Sequence, residues 1–381
     1  MDVEKIRTQF PVCKNYHYFQ SAGMSPMPIP VFKKVQEGYQ TLTEHGDIFF
    51  HKDIEKQEEM FETIAGMLNC QKEDVSLAES NSMAMSLTGL ALKNKHQDFN
   101  IVSMEEEFPS NTVPLEYLDI EMRYVKHKNH RYPVEDILAL CDENTLAVQT
   151  SYVQYGTGFR QDLLALGREL EKRNVLFIVN ATQAFPFFPP DMRAMNIDVL
   201  TCSVHKWGFA GHIGTLYVTS EEFRQNHPSP IAGWLSVDVS ESDDFIHTAK
   251  NADFDLWSDG RQYLFASANL KSRMGFSASL KFLQQYEIAH LRAHLLGMSD
   301  YLITRLKELP CEIRSPHEKD SERSAIVVFS MTGKNNAEIV EKLAEKKIIC
   351  ALRDGGIRAA VNIFTNKKDV DALVEELNNM V

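Results

Sequence analysis

The sequence predicts an α/β fold, in which a large domain with a mostly parallel β-sheet precedes a small C-terminal α+β domain. Short apolar runs alternate with amphipathic helical stretches through the first two-thirds of the 381 residues. This alternation is typical of a parallel sheet with helices on both faces. After about Trp257 a long helical region replaces it. A chain of this length can form one large domain and a smaller one.

Seven short apolar runs in the first part of the chain are predicted as strands, because each is rich in β-favouring residues and bounded by turn residues. They lie at 75–78, 100–104, 122–125, 146–151, 175–179, 199–203 and 214–219. The clearest helix is at 161–174, where Asp162 can cap the first turn and Leu163, Leu166 and Leu170 line one face. In such a sheet, ligands bind at the carboxyl ends of the strands.

The last third of the chain has the pattern of a separate, smaller unit. Its predicted parts, in order, are a helical region at 270–309, a strand at 325–330, a helix at 336–346, strands at 348–352 and 357–363, and a final helix. That helix carries Val370, Leu373, Val374 and Leu377 on one face. We therefore expect an N-terminal segment at 1–20, a large domain at 21–265 and a small domain at 266–381.

The composition favours a soluble, cytoplasmic protein. A net charge of −13 and an isoelectric point near 5.5 argue against nucleic acid or an anionic membrane as the main partner. The six cysteines are scattered without paired spacing, so neither disulfides nor a metal site is expected, and reduced thiols fit better. The first residues alternate in charge, unlike a signal peptide, and no apolar stretch is long enough to span a bilayer.

Polar side chains follow two neighbouring predicted strands. Asn180 and Gln183 follow one strand, while Ser203, His205 and Lys206 end the next, before a glycine-rich turn. Packed strands around the lysine could desolvate its amine and lower its pKa, as a Schiff-base lysine needs. Taken singly these residues have ordinary explanations, because a lysine at a strand end is usually solvated and a buried histidine is usually a core hydrogen-bonder.

This block resembles the signature of the class V aminotransferases, the group containing cysteine desulfurases, cystine lyases, kynureninase and isopenicillin N epimerase. The resemblance covers nearly the whole chain and implies a pyridoxal 5′-phosphate (PLP) enzyme of fold type I. It implies that Lys206 forms the Schiff base with the cofactor and later moves a proton at the substrate's Cα. It places Ser203 and His205 near the cofactor phosphate, and it gives Gln183 a hydrogen bond to the phenolic oxygen.

The same resemblance implies further cofactor contacts. Asn81 and Ser82 match the helix start that binds the phosphate, where free N–H groups favour a dianion. A simple N-cap by either residue would look identical in sequence. Phe108 matches the ring that stacks on the pyridine, with an ordinary core residue as the alternative. Gln154 matches a polar residue near the cofactor, and Ser267 matches a hydroxyl that reaches the phosphate of the neighbouring subunit, which implies a homodimer with shared sites.

Two arginines and one cysteine bear on the substrate and the reaction. Arg358 matches the arginine that grips the substrate carboxylate, a task that suits a planar guanidinium, and the alternative is a surface ion pair. The role of Arg353 stays open. Desulfurases carry a nucleophilic cysteine between these two arginines, and this chain has none there. Cys350 precedes them in an apolar strand pattern and is interpreted as a buried small hydrophobe.

Asn180 departs from the family pattern, because an aspartate usually pairs with the cofactor's pyridine nitrogen at this position. The chain could be a weakened or engineered enzyme, an enzyme of altered chemistry, or a catalytically silent PLP-binding dimer. The expected function is conversion of a small amino-acid substrate. C–S lysis or another β-elimination is favoured over epimerisation and transamination, and a persulfide-forming desulfurase is not expected.

Overall fold

The computed structural model describes residues 2–240 and 254–380 of the chain. Its strands are β1 His17–Tyr18, β2 Val75–Ala78, β3 Asn100–Met104, β4 Glu121–Val125, β5 Thr145–Ser151, β6 Leu176–Asn180, β7 Val199–Ser203, β8 Thr215–Thr219, β9 Cys311–Ile313, β10 Ile326–Met331, β11 Ile348–Ile349, β12 Ala351–Arg353 and β13 Gly356–Ala360. Its helices are α1 Val3–Arg7, α2 Ile29–His45, α3 Phe50–Leu68, α4 Asn81–Lys93, α5 Pro109–Tyr117, α6 Val134–Ala139, α7 Leu163–Glu171, α8 Glu221–Asn226, α9 Leu270–Gln284, α10 Ile288–Leu306, α11 Asn336–Glu345 and α12 Lys367–Asn378.

A seven-stranded sheet forms the centre of the first two-thirds of the chain. Its strand order is β2-β8-β7-β6-β5-β3-β4. Strands β4, β3, β5, β6 and β7 pair in parallel, and β8 runs antiparallel to both of its neighbours. All seven predicted strands are present, each with its ends within one residue of the prediction. The mostly parallel sheet is therefore confirmed.

The inner strands of this sheet are buried on both faces, which explains why they are nearly continuous apolar runs, whereas the edge strand β4 is partly exposed. Along β6, Phe177 and Val179 face the larger apolar cluster, while Ile178 between them faces a second cluster on the other side. The second cluster also contains Met85 and Leu87 of α4. Helices on the two faces thus bury alternate residues of the same strands.

The clearest predicted helix, at 161–174, is present but shorter, as α7 Leu163–Glu171. The Asp162 side chain accepts a hydrogen bond from the Ala165 N–H at 3.0 Å and caps α7. The long helical region predicted at 270–309 divides into α9 and α10 near Glu287, whose φ is +58°. On α9, Lys271 forms a buried ion pair with Asp53 of α3, so this helix packs against the first part of the chain.

The smaller sheet is antiparallel and has the strand order β12-β13-β10-β9. Its β12–β13 hairpin turns at Asp354 and Gly355, whose φ values of +48° and +73° suit a tight two-residue turn. The single strand predicted at 348–352 is wrong, because the segment divides at Cys350. Strand β11 pairs in parallel with β1, whereas β12 pairs with β13. The strand predicted at 357–363 ends at Ala360.

The N-terminal segment packs on the C-terminal unit. Besides the β1–β11 pairing, Phe10 packs against Phe364 with ring centroids 4.7 Å apart. Asp369 of α12 accepts hydrogen bonds from Arg7, at 2.5 Å, and from the His17 side chain, at 2.7 Å. The boundaries at 1–20, 21–265 and 266–381 stay a prediction. Across the described ranges, no helix combines the length and the apolar character needed to cross a membrane.

Candidate active site

The carboxyl ends of the parallel strands meet at one edge of the large sheet, and a cavity of about 260 Å³ opens there. This is where a sheet of this kind binds ligands. Strand β5 ends at Ser151, β6 at Asn180 and β7 at Ser203. The cavity is lined by Ala22, Gly23, Phe108, Ser110, Ser151, Tyr155, Asn180, Thr182, Gln183, Ser203, His205, Lys206, Arg353 and Arg358.

Lys206 lies in the turn after β7 and lines this cavity. Burial, followed by the nearby cation of Arg358, lowers the pKa of its amine from 10.5 to about 8. The turn is held in place because Trp207, which is fully buried, donates its indole N–H to Gln183 Oε1 at 2.8 Å. The neutral form of the amine is therefore easier to reach than in a solvated lysine, and the amine faces a cavity.

Phe108 presents its ring to the cavity, with its centroid 5.2 Å from Lys206 Nζ. The residue is 41% exposed, so the alternative of an ordinary core residue is wrong. Tyr155 packs edge-on against the ring at a centroid distance of 5.2 Å, which fixes its position. A flat apolar face is thus available beside the amine, and the stacking role of Phe108 stays a prediction.

Arg358, on β13 of the small sheet, reaches the cavity and is only 2% exposed. One guanidinium nitrogen, Nη1, donates to the Tyr155 carbonyl at 3.0 Å, while the buried Nη2 has no hydrogen-bond partner. Burial, with a contribution from Arg353, lowers the pKa of Arg358 to about 10. Because Arg358 is buried, the alternative of a surface ion pair is wrong. Arg353 also lines the cavity, which therefore favours an anion.

A buried network that the sequence analysis missed lies behind the cavity. We call Glu107, Asn111, Ser151 and Gln154 the polar hub. Glu107 is 7% exposed and accepts hydrogen bonds from the other three, at 2.6 Å from Asn111 Nδ2 and 2.9 Å from Gln154 Nε2. Gln154 thus belongs to the layer behind the cavity lining. The sequence signal that could have identified this network is Glu107, a carboxyl residue that lies just beyond the end of the buried strand β3.

A second cavity, of about 250 Å³, adjoins the first at the start of α4. It is lined by Glu79, Ser80, Asn81, Ser203, His205, His212, Ile213, Gly214, Thr215, Asn269 and Arg273. Ser203 and His205 therefore face both cavities. Burial, followed by Lys206 and His212, lowers the pKa of His205 to about 4, so its ring is neutral near pH 7.

The start of α4 differs in detail from the prediction. Ser80 is the N-cap, because its hydroxyl accepts the Met83 N–H at 3.2 Å, so a cap by Asn81 or Ser82 is wrong. Asn81 lines the second cavity, whereas Ser82 and Ser267 are exposed and line neither cavity. Arg273 of α9, buried beside this cavity, is a cation that the sequence analysis missed.

The two cavities fit the cofactor that the resemblance implies. PLP needs a neutral primary amine for its aldehyde, which Lys206 provides, and donors for a phosphate dianion, which the N–H groups at the start of α4 provide. Two buried polar atoms of the cavity linings have no hydrogen-bond partner among the described residues: Asn81 Oδ1 in the second cavity and Arg358 Nη2 in the first. A polar ligand would supply what these atoms lack.

One group in the described ranges has the composition of a metal site, although no metal was expected. Ligand atoms of Glu106, His127 and His130 lie within 4.8 Å of one another. The two imidazole rings stack at an interplanar angle of 18°, so their nitrogen lone pairs lie in nearly parallel planes and do not converge on one point. The group does not line the main cavity.

Cys350 is buried between β11 and β12, and burial raises the pKa of its thiol to about 12. This agrees with its interpretation as a small hydrophobe, although it sits between two strands and not within one. Across 2–240 and 254–380, a range that includes all six cysteines, none of them lines the main cavity. The cavity therefore lacks a thiol from this chain.

Known proteins resemble this chain along its whole length. A "Probable cysteine desulfurase" of Methanothermobacter thermautotrophicus is 22% identical over 413 aligned residues, covering 100% of this chain and 98% of the relative. A cysteine desulfurase structure from Thermococcus onnurineus superposes with a TM-score of 0.89 at 16% identity, covering 99% and 98% of the two chains. The cystine C–S lyase C-DES, solved with cysteine persulfide, superposes with a TM-score of 0.86 at 19% identity, covering 97% and 99%.

At these identities the solved structures establish the fold, which is that of PLP-dependent fold type I. The family assignment comes from the sequence itself. The family model described as Aminotransferase class-V matches residues 17–373, almost the entire chain. The chain belongs to the class V aminotransferase family, and this membership confirms the predicted fold type, the PLP cofactor and an enzymatic role.

Proposed function

We propose that this protein uses PLP to cleave a C–S bond, or another bond at the β-carbon, of a small α-amino acid or its derivative. The observation that carries the proposal is one cavity that combines the Lys206 amine, with its pKa lowered to about 8, and the unpaired guanidinium nitrogen of Arg358. An amine and a carboxylate receptor on facing elements are what an enzyme of this family needs to hold an amino acid.

Lys206 and Arg358 carry the central roles in this proposal. Lys206 binds the aldehyde carbon of PLP and then moves a proton at the substrate's α-carbon. Arg358 binds the substrate carboxylate through the guanidinium edge that Tyr155 leaves open. When bound, PLP supplies an electron-withdrawing ring that stabilises negative charge at that carbon.

The remaining site residues hold the cofactor. Ser203 and His205, which line both cavities, contact the phosphate end together with the backbone N–H groups of Asn81 and Ser82 at the start of α4. Gln183 has one amide hydrogen committed to the Ala22 carbonyl, at 2.9 Å, and donates the other to the phenolic oxygen.

On the ring faces and edges, Phe108 stacks on the pyridine ring, and Asn180 contacts the pyridine nitrogen. Gln154 acts from behind, through its hydrogen bond to Glu107.

The tight β12–β13 hairpin supports a lyase over a persulfide-forming desulfurase. Only Asp354 and Gly355 form the turn between the paired residues Arg353 and Gly356, so the loop is too short to carry a nucleophile into the cavity. The thiol of Cys350 is buried and its pKa is raised, and both effects suppress the thiolate. Sulfur would therefore leave on the product and would not be transferred to the protein.

The proposal includes a homodimer with shared sites in the cytoplasm. It is supported by Ser267, which is exposed and lines neither cavity of its own chain, and by six unpaired cysteines. Mixing Lys206→Ala chains with Ser267→Glu chains tests the sharing. Each variant alone should be inactive, whereas mixed dimers should regain one working site. Mixed dimers that form but stay inactive would contradict shared sites.

The cofactor assignment is tested by the absorption spectrum and by borohydride trapping. The purified protein should absorb in the visible range, and Lys206→Ala should abolish the band without loss of fold. Peptide mapping after reduction should place the adduct on Lys206. Lys271 is an internal control, because it is also buried but is paired with Asp53. A label on Lys271, or on any other lysine, contradicts the assignment.

The reaction is tested with a panel of amino acids that includes cystine, cysteine and simple aliphatic amino acids. A C–S lyase should release a keto acid and a sulfur-bearing product from sulfur amino acids, and no protein persulfide should accumulate. The second candidate, a catalytically silent PLP-binding dimer, rests on Asn180 in place of aspartate. Cofactor bound on Lys206 with no turnover across the panel would favour that candidate.

A further inference from the structure

Asn180 ends β6, is 5% exposed and lines the main cavity. The proposed function, on which this inference rests, has it contact the pyridine nitrogen of PLP. What Asn180 does there depends on which end of its amide faces the ring, because the oxygen can only accept a hydrogen bond and the nitrogen can only donate one.

Two neighbours fix the amide of Asn180. Its Oδ1 accepts the backbone N–H of Thr182 at 2.8 Å. A backbone donor cannot exchange roles, so this bond occupies one of the two lone pairs of the oxygen and orients it toward its own chain. Its Nδ2 donates one hydrogen to Asn111 Oδ1 at 2.7 Å. The group that remains free for the cavity is the second N–H of Asn180.

The polar hub also fixes the orientation of Asn111, the side chain that accepts the hydrogen bond from Asn180. Asn111 Nδ2 donates to Glu107 Oε2 at 2.6 Å, so the oxygen of Asn111 must face the other way, toward Asn180. Glu107 acts as an acceptor throughout, since Ser151 N donates to it at 2.5 Å and Gln154 Nε2 at 2.9 Å. The whole chain of hydrogen bonds therefore has one direction, from Asn180 through Asn111 to the carboxylate of Glu107.

We infer that Asn180 donates a hydrogen bond to the pyridine nitrogen of PLP, and that this nitrogen is therefore bound without a proton. A protonated nitrogen would bring its own N–H against the free N–H of Asn180. The cations Arg353 and Arg358 line the same cavity and also oppose an added positive charge.

An unprotonated ring withdraws electrons less strongly than a pyridinium. Negative charge at the substrate's α-carbon is then stabilised less by the ring, so reactions in which a leaving group takes up this charge without delay are favoured. In β-elimination, the electron pair left by the departing α-proton forms the Cα–Cβ double bond as the β-substituent leaves with its own bonding pair. The cavity of this protein is therefore suited to substrates with a good β-leaving group, such as a thiolate or persulfide, and poorly suited to transamination.

The test is nitrogen-15 NMR of the protein loaded with PLP labelled at the pyridine nitrogen, because the chemical shift of that nitrogen reports directly whether it carries a proton. At neutral pH the wild-type signal should lie at the unprotonated position, and Asn180→Asp should move it to the pyridinium position. Asn100→Asp is the matched control. Asn100 is also a buried asparagine of the large sheet, but it lies at the start of β3 and lines neither cavity, so the signal should stay unprotonated.

A pyridinium signal in the wild-type protein overturns the inference, whether or not Asn180→Asp folds. Borohydride trapping on Lys206 in the same samples separates this failure from that of the proposed function. If the cofactor is trapped on Lys206 but its ring nitrogen is protonated, the inference is wrong and the proposed function is unaffected. Failure to capture PLP at Lys206 sinks both.

Discussion

Capture of PLP by the cofactor-free protein tests the electrostatics around Lys206. Burial, followed by the cation of Arg358, lowers the pKa of the Lys206 amine to about 8. Only the neutral amine attacks an aldehyde. The rate of capture should therefore rise about tenfold per pH unit toward pH 8 and level off above it. In Arg358→Met, which removes the nearby cation, the levelling should move to higher pH.

The size of the effect follows from the two pKa values. At pH 7 an amine with a pKa near 8 is neutral in about one molecule in ten, against about one in 3,000 for a pKa of 10.5. The lowered pKa corresponds to a free-energy cost of at most about 3.4 kcal/mol for the charged amine in the folded protein, and this is an upper value because the lysine is only partly buried. A lowered pKa in the folded state costs stability below pH 8, and the cost disappears as pH rises toward 10.5. Lys206→Met should therefore stabilise the cofactor-free protein near neutral pH.

The assay is stopped-flow absorbance after mixing with PLP across a pH series. Wild type, Arg358→Met and Arg353→Met are compared, and Arg353→Met should shift the midpoint less, because Arg353 contributes less to lowering the Lys206 pKa. A wild-type midpoint near 10.5, or no shift in Arg358→Met, would refute the electrostatic reasoning.

Further variants test other parts of the structure. Arg358→Met should raise the Kd of an amino-acid ligand by about 10- to 100-fold, measured by spectral titration, because a charged hydrogen-bonded pair contributes about 1.5–3 kcal/mol. Cys350→Ala should leave turnover unchanged and show no trapped persulfide by mass spectrometry, at a stability cost of about 1 kcal/mol. Asn180→Asp should increase transamination relative to elimination, measured as keto-acid and amino-cofactor products. Gly158→Ala should lower Tm, because its φ is +75° and a Cβ would lie 2.4 Å from the Ile326 carbonyl oxygen.

Much of the large sheet could be predicted from sequence because burial on both faces leaves a direct local signature. Strand β6 is an uninterrupted apolar run that ends in Asn180, and its neighbour β7 ends just before Lys206. The parallel arrangement then brings both strand ends to one edge, so a pattern of strand and following polar residues was enough to bring Gln183, His205 and Lys206 together.

The features that escaped prediction are non-local. The β1–β11 pair consists of two residues on each side, separated by most of the chain, and has no periodicity to detect. Glu107 has an ordinary acidic side chain in sequence, and its importance comes from Asn111, four residues away, and from two donors on a distant segment, Ser151 and Gln154. The position of Arg353 in the cavity depends on how the small sheet docks, which local patterns do not encode.

The short β1–β11 pairing has a mechanical consequence. Phe19 and Gln20 continue from β1 onto Ala360 of the strand that bears Arg358, and three residues later the same segment forms the cavity wall at Gly23. The N-terminal segment thus connects the strand that bears Arg358 to the wall of the main cavity. The Ala22 carbonyl of the same segment accepts a hydrogen bond from Gln183, so a displacement of the small sheet would also displace a partner of that amide on the other side of the cavity.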